Sequence, residues 1–247
     1  MLAVAFESNR SSGMHFPVSF YRFAAVCSVV SALTTCGLIF LPDLYAPLEG
    51  FEGRMHRVED PAYILRSWVY LLHPFFTGTA ALAVAVRLRR VAPSLVIPGL
   101  IGFMLWAATE AAQQTITLQA FDKWRVAYLA GDEAVRSTMV LRTAVYDGIW
   151  DAMYFFLIIV FFIGNVLYSI ALWRGRTKLS KAVSVGYIGA ALLTAPLISA
   201  EAGGPGMPES LDAWLYPAIQ PLARTLIGVW LWRNAAERAA DSVPSVQ

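Results

Sequence analysis

The sequence is poor in charged residues, in cysteine and in histidine. Only 15% of its 247 residues are Asp, Glu, Lys or Arg, against about 25% in soluble globular domains. A composition this low in charge excludes an intrinsically disordered chain and an acidic or basic tail protein. The net charge is +2 and no basic run is interleaved with aromatic residues, so nucleic acid is not expected as a partner.

The two cysteines and three histidines do not form the spacing of a metal or redox site. Cys27 and Cys36 both lie in the first apolar run and are not arranged as a CxxC motif. A haem held by two histidines is disfavoured, because only His73 lies within an apolar run and His15 and His56 do not. We expect His73 to be a packed or interfacial side chain. No cofactor is predicted, although a bound lipid or quinone is compatible with the sequence.

Apolar residues are abundant, at 57% of the chain. They fall in blocks of about 20 residues, which is the length that an α-helix needs to cross a bilayer. We therefore predict an all-α membrane protein with a single domain over residues 1–238, a bundle of six transmembrane helices, and a flexible tail over 239–247. The six predicted spans cover approximately residues 18–41, 67–87, 94–118, 149–173, 182–201 and 212–233.

The basic residues are distributed unevenly between the two sides of this bundle. With the N-terminus placed inside, eleven of the 19 Lys and Arg residues, Arg10 among them, lie on the inner side and seven on the outer side. The inner loops 88–93 and 174–181 are short and basic. The positive-inside rule therefore predicts that both termini are cytoplasmic.

Two outer segments are long enough to have structure of their own. Residues 42–66 contain several prolines and glycines and are predicted to form an ordered loop. In residues 119–148, apolar side chains recur at helical spacing among charges, and Gly131-Asp132 interrupts the pattern. We predict two short helices there, lying along the membrane surface.

A polar stripe crosses the third predicted span. Glu110 is followed by Gln113, Gln114 and Thr117 at i+3, i+4 and i+7, which places all four side chains on one face of the helix. Such a face should contact protein or water rather than lipid. It is consistent with hydrogen bonding between helices and also with the wall of a polar cavity.

The fourth predicted span has a similar stripe. One of its faces should pack inward, with two aspartates near the outer end and Asn165 deep in the span. The residues on this face are Asp147, Asp151, Tyr154, Ile158, Phe161, Asn165 and Tyr168. The aspartates are consistent with a solvated helix start, where acidic side chains are favoured by the helix dipole. Alternatively, Asp151 belongs to a polar pocket.

The sixth predicted span carries Gln220 and Arg224 one turn apart, next to two prolines. A charge at the bilayer centre costs about 2.5–3.5 kcal/mol on insertion scales, so each one needs a reason. Arg224 and Glu110 are the two charges deepest in the predicted spans. We expect them to form a structural ion pair, with Asp151 and Glu201 as competing partners of Arg224 and a ligand-binding role for Arg224 as the alternative.

The third to fifth spans also resemble a known family. The run WAATEAAQQ, the later LRTAVYDGIWDAMYFFLIIVFFIGNVLYSIALWR, a short basic loop and KAVSVGYIGAALL are similar to bacterial membrane proteins of the family called domain of unknown function 4386. The resemblance extends over about residues 18–235. It implies a six-helix protein of the bacterial inner (cytoplasmic) membrane and carries no established activity. The matching residues are Glu110, Trp150, Asp151, Gly164, Asn165, Leu167, Tyr168, Gly186 and Gly189.

Three functions are compatible with these patterns. We expect a non-catalytic protein that binds a small amphipathic ligand or lipid, or a membrane partner such as a second copy of the chain. The alternatives are a proton- or ion-coupled transporter that uses Glu110 and, third, a lipid-modifying enzyme. The predicted ligand-binding residues are Glu110, Gln113, Gln114, Asp151, Tyr154, Asn165, Gln220 and Arg224.

Overall fold

Eight α-helices make up most of the described chain. The computed structural model describes residues 16–45 and 50–241, of which about 90% are helical and none is in a strand. The all-α prediction is therefore confirmed at this level. The helices are α1 (Val18–Phe40), α2 (Gly50–His56), α3 (Pro61–Leu88), α4 (Pro93–Ile116), α5 (Asp122–Ala130), α6 (Glu133–Trp173), α7 (Lys178–Glu201) and α8 (Glu209–Asp241).

Five helical segments are long and apolar enough to cross a membrane, and they contain the first five predicted spans. α8 contains the sixth predicted span and is long enough, but Gln220, Arg224 and two prolines make its middle less apolar. The five segments are Val18–Leu44, Pro61–Leu88, Pro93–Ala130, Glu133–Trp173 and Lys178–Glu201.

Side-chain caps explain where several of these helices begin. The Asp60 carboxylate accepts hydrogen bonds from the backbone N–H groups of Ala62 and Tyr63 at the start of α3. Asp132 caps α6 in the same way, and the Thr177 hydroxyl caps α7. These bonds satisfy N–H groups that have no partner within the helix.

The six long helices form a closed ring in chain order. α1 packs against α3, α3 against α4, α4 against α6, α6 against α7, and α7 against α8, which returns to pack against α1. In this order α4 and α8 stand on opposite sides of the ring. We call the end with the connections 89–92 and 174–177 the turn end, and the end with α2 and α5 the cap end.

The turn half of the ring is solidly packed. Its core includes the buried side chains of Tyr21, Tyr168, Leu172 and Leu231. α4 and α6 approach so closely there that a Cβ atom added to Gly102 would lie 2.8 Å from the carbonyl oxygen of Val160. Small residues at such crossings allow membrane helices to pack backbone against backbone.

Both long outer segments differ from their predictions. Within 42–66, the described residues form α2 and two 3-10 turns, Leu41–Leu44 and Arg57–Glu59, and α3 already begins at Pro61. In 119–148, the chain does break at Gly131, but residues 133–148 are the first turns of α6 rather than a separate short helix. The segment before the break continues α4 through a π-helical turn, Thr117–Phe121, into α5. Aromatic residues of this segment pack against α2, and this packing favours a helix that continues from α4 into α5.

Three predictions concern the ends of the chain. Arg10 and His15 lie outside the described residues, as do residues 242–247 of the predicted tail. The first three tail residues, 239–241, are the last residues of α8.

Candidate functional site

The cap half of the ring encloses a cavity of about 700 Å³. All six long helices contribute to its wall, and Trp106 and Phe161 separate it from the packed half, with ring centroids 5.4 Å apart. From Asp147 at the mouth to Phe161 the α6 wall is about 20 Å deep, at 1.5 Å per residue. A cavity of this size is in the range that holds a drug-sized ligand.

The polar stripe of α4 lines this cavity as its spacing predicts. Glu110, Gln113, Gln114 and Thr117 are all buried and all face the cavity. Gln113 and Thr117 also hold helices together: Gln113 Nε2 donates to the Trp150 carbonyl oxygen at 3.2 Å, and Thr117 Oγ1 lies 2.8 Å from the Tyr146 hydroxyl. All four side chains therefore form part of the cavity wall, and two of them, Gln113 and Thr117, also join α4 to α6.

Glu110 is the charged member of the stripe. Among the residues that the structure describes, no side chain forms a hydrogen bond or an ion pair with its carboxylate. It is nevertheless only 7% exposed. A buried carboxylate with no protein partner is costly unless something else satisfies it, so Glu110 is available to a molecule in the cavity.

Arg224 lies on the opposite wall and is held only by neutral groups. Its Nε donates to Ser31 Oγ at 3.1 Å, and its Nη1 donates to the Gln220 carbonyl oxygen and side-chain oxygen at 3.2 and 2.5 Å. Its Nη2 lies 3.5 Å from His73 Nε2. These contacts orient the guanidinium, and none of them is with an anionic group.

The predicted ion pair between Glu110 and Arg224 is not present. The described ion pairs are Arg54–Asp147, His56–Glu59 and Arg125–Asp122. The reason is topological: α4 and α8 are opposite members of the ring, so the two charges face the same cavity from different sides.

His73 has a larger part in the site than its sequence context indicates. It is 3% exposed, lines the cavity and contacts Trp106 edge to face, with ring centroids 5.9 Å apart. The Thr34 hydroxyl donates to the Val30 carbonyl oxygen at 3.0 Å, so it accepts from His73 Nδ1 at 2.8 Å. This assigns the ring proton to Nδ1 and leaves Nε2 as the acceptor that faces Arg224.

The other predicted residues are divided between two cavities. Asp151 and Tyr154 of α6 and Gln220 of α8 line the main cavity together with the residues above. Asn165 does not: it lines a separate space of about 30 Å³ on the other side of Phe161, which would hold one or two waters. Its Nδ2 donates to the Phe161 carbonyl oxygen at 2.7 Å. Of the eight predicted residues, Asn165 is the one that lies outside the main cavity.

The mouth of the cavity is lined by arginines. Arg54 pairs with Asp147, and Arg125 pairs with Asp122 at 2.8 Å while its guanidinium lies over the Phe121 ring at 4.2 Å. The hydrogen bond from Arg54 to Asp147 raises the pKa of that guanidinium above its usual value. Two further cations, Arg57 and Arg66, also line the cavity.

The sequence does not predict that these cations, His73 and the aromatic pair Trp106 and Phe161 line the cavity. The arginines of 54–66 lie in a segment predicted to be a loop. Trp106 has no sequence signal beyond being an apolar residue of a span, and Phe161 lies on a face predicted to be inward without any sign that it would end a cavity. A signal for His73 does exist, since an imidazole in an apolar run is a costly group that needs partners. Of its partners, Thr77 lies one turn along the same helix, but Thr34 belongs to α1, whose contact with α3 the sequence does not specify.

No group of three or more His, Cys, Asp and Glu residues in the described chain is placed to hold a metal ion.

Family models, curated proteins and solved structures were compared with this chain, and none matches it. The resemblance to domain of unknown function 4386 therefore stays an expectation.

Proposed function

We propose that this chain is a six-span membrane protein that binds a small amphipathic ligand in the cavity of its helical ring. The observation that carries the proposal is the pairing of a ligand-sized cavity with Arg224, a partly buried cation whose hydrogen-bond partners are all neutral. An ionisable group inside a membrane bundle that forms no ion pair is a candidate binding group.

The membrane arrangement is part of this proposal. α8 is the sixth span, because it closes the ring between α7 and α1 and its 33 residues extend for about 50 Å. The turn end faces the cytoplasm, since Arg89, Arg90, Arg174 and Arg176 lie at its connections. The cavity then opens at the outer face of what we take to be a bacterial inner membrane.

The walls fit an amphipathic ligand. Leu157, Ile158 and Leu197 provide apolar surface, and Trp106 and Phe161 provide aromatic surface. Arg224 provides a group for an anionic or strongly accepting atom of the ligand. Ligand pockets commonly combine such apolar walls with a few fixed polar groups that orient the ligand.

Native mass spectrometry from gentle detergent tests the proposal. We expect a small molecule bound to the unaltered protein and to Arg233→Ala, an exposed arginine of the same helix, and expect it to be lost from Arg224→Ala. Thermal unfolding of each protein checks that folding is retained. The proposal is wrong if the adduct persists in Arg224→Ala, or if all three proteins are empty and Arg224→Ala is only less stable.

A proton- or ion-coupled carrier is the second candidate, and the unpartnered carboxylate of Glu110 favours it. Pro196, Pro217 and Pro221 also interrupt backbone hydrogen bonding near the cavity, and broken helices are typical of transport sites. In proteoliposomes loaded with the copurified molecule, an imposed pH gradient should then drive its release. Glu110→Gln should abolish that release, whereas a simple binding protein would show none.

A further inference from the structure

Two opposite charges face the cavity without meeting each other. Arg224 projects from α8 and Glu110 from α4, and these helices stand on opposite sides of the ring. Neither charge forms an ion pair with a described residue, because the hydrogen-bond partners of Arg224 are neutral and Glu110 has none; the two charges attract each other across the cavity without contact. A cavity that served only for an anion would need Arg224 alone.

Resting on the proposed function, we propose that the ligand is a zwitterion, with an anionic group bound by Arg224 and an ammonium group bound by Glu110. A guanidinium matches a carboxylate or phosphate, since all of its N–H groups donate. A carboxylate only accepts, and it therefore matches the N–H donors of an ammonium group. Each pairing would give an ion-pair partner to a charge that has none among the described residues.

The neighbours of each charge support this division. Around Arg224, the neutral acceptors Gln220, Ser31 and His73 fix the guanidinium without supplying an anion. The proton on His73 Nδ1 is directed to Thr34, so the ring presents no N–H donor that would compete with Arg224 for the anionic group. On the α4 side, Gln113 is already bonded to the Trp150 carbonyl oxygen, which leaves Glu110 as the charged acceptor of that wall.

The charged residues at the mouth of the cavity do not change the assignment of Arg224 to the anionic group and Glu110 to the ammonium group. The Arg54–Asp147 and Arg125–Asp122 pairs are each neutral as a unit. The other charges that line the cavity are Arg57, Arg66 and Asp151. Of these, Arg57 lies in the 3-10 turn Arg57–Glu59 at the cap end, Arg66 donates to the Leu38 carbonyl oxygen and to Tyr70, and Asp151 is exposed at the mouth. The deep part of the cavity therefore has one cation and one anion.

Zwitterions of this kind occur as lipid headgroups and as free molecules. A phosphate with an ethanolamine ammonium is one form, and the carboxylate and ammonium of a free amino acid are another. The same two protein charges would bind either, so the experiment has to separate the two sources.

The test is isothermal titration of the full-length protein in detergent with three probes. Lysophosphatidylethanolamine is the zwitterionic lipid, lysophosphatidylglycerol with the same acyl chain is the anionic lipid, and leucine is the free zwitterion. We expect the unaltered protein to bind the ethanolamine lipid at least about tenfold more tightly than the glycerol lipid, since a hydrogen bond between charged groups is worth that much.

Substitutions then assign the charges. Glu110→Gln should weaken binding of the ethanolamine lipid about tenfold and leave the glycerol lipid unchanged, and Glu110→Asp should retain the preference. Arg224→Gln should weaken binding of both lipids. Glu201→Gln, an exposed glutamate at the end of α7, should change neither. Binding of leucine with the same dependence on both residues would identify a free zwitterion, and binding of the lipid alone would identify a headgroup.

The outcomes separate this inference from the proposed function. Equal affinity for the two lysolipids, or an equal loss for both in Glu110→Gln, would overturn the zwitterion while Arg224-dependent binding still supported the cavity as a ligand site. Binding of none of the three probes would overturn the zwitterion, and an empty protein in native mass spectrometry would overturn the ligand site as well.

Discussion

The guanidinium of Arg54 and the carboxylate of Asp147 form a two-point ion pair that joins α2 to α6 at the mouth of the cavity. One of its two N–H···O distances is 2.8 Å, and the same guanidinium lies 5.1 Å from the centre of the Phe121 ring. α2 has only seven residues and is too short to be stable by itself. Its position over the mouth therefore depends on contacts such as this one.

Breaking this pair should loosen the cap with little effect on global stability. The two side chains are 32% and 38% exposed, so solvent screening limits the contribution of the pair to about 1 kcal/mol at most. We expect Asp147→Asn to increase hydrogen exchange in 50–56 and to lower the unfolding temperature by no more than about 2–4 °C. Unchanged exchange there would show that other contacts hold α2.

The protonation state of Arg54 should not change the effect of Asp147→Asn at any pH used for such measurements. Its pKa is raised in the folded protein by the hydrogen bond to Asp147, so the stability that it contributes is complete at every pH below the pKa of an arginine in the unfolded chain. That contribution is lost only as the pH rises through the still higher folded value. Asp147→Asn should therefore have the same effect at pH 7 and pH 9, measured by thermal unfolding in both buffers.

Gly102 should be intolerant of a side chain. A Cβ there would lie 2.8 Å from the Val160 carbonyl oxygen and 3.3 Å from the Gly164 nitrogen, and neither backbone atom is free to move without separating α4 from α6. We expect Gly102→Ala to destabilise the protein by about 1–3 kcal/mol, as overpacking does. Gly148→Ala is the matched control, because a Cβ at that helical glycine has no neighbour within 4 Å.

Helix propensity predicts the direction in which the control variant Gly148→Ala changes stability. Alanine is favoured over glycine in a helix by about 1 kcal/mol, so Gly148→Ala should leave the unfolding temperature unchanged or raise it. If both variants unfold at the same temperature, the close approach of α4 and α6 does not limit stability.

The buried pair of Arg125 and Asp122 should be far more sensitive than the mouth pair. Arg125 is 3% exposed, its Nη1 donates to Asp122 at 2.8 Å, and it also donates to the Tyr63 hydroxyl. Asp122→Asn would leave a buried guanidinium without its counter-charge, which costs about 3–5 kcal/mol. Tyr63→Phe removes two hydrogen bonds, one from Arg125 and one to Asp122, but leaves the ion pair in place, so it should cost about 2 kcal/mol.

Thermal unfolding of these two variants beside Glu133→Gln, an exposed acid at the start of α6, gives the ranking. We expect Asp122→Asn to be the least stable, followed by Tyr63→Phe, with Glu133→Gln close to the unaltered protein. An Asp122→Asn protein as stable as the control would mean that the charge of Arg125 is compensated elsewhere.

Hydropathy and helical periodicity predict a large part of this architecture. The apolar blocks place all five of the apolar helical segments, and the i, i+3, i+4, i+7 spacing from Glu110 to Thr117 places four side chains on the cavity wall. Both signals are local, because a helix fixes the relation of residues a few positions apart. The break at Gly131 is predicted for the same reason, because it depends only on the neighbouring residues Gly131 and Asp132.

Relations between distant helices are what the sequence leaves undetermined. The depth of Glu110 and Arg224 in their spans is readable, but whether they meet depends on the order of helices around the ring. Asn165 is similar: it shares a helix face with Asp151, yet the ring of Phe161 separates it from the main cavity. His73 gains its role from Thr34 and Arg224, which lie in two other helices.

Cysteine labelling in intact cells should establish the orientation and the sixth span together. In a background with Cys27→Ala and Cys36→Ala, a membrane-impermeant maleimide should label Gly206→Cys in intact cells. It should label Arg176→Cys and Arg233→Cys only after lysis. All three positions are exposed at the ends of the ring, so differences in labelling would report the side of the membrane rather than burial.

Arg233 is the informative position for α8. If α8 crosses the membrane, Arg233→Cys behaves like Arg176→Cys, because both lie at the turn end. If α8 stays on the outer side, Arg233→Cys is labelled in intact cells together with Gly206→Cys. That second pattern would remove α8 from the membrane-spanning ring, and Arg224 would then no longer be a charge buried in the bilayer that requires a ligand.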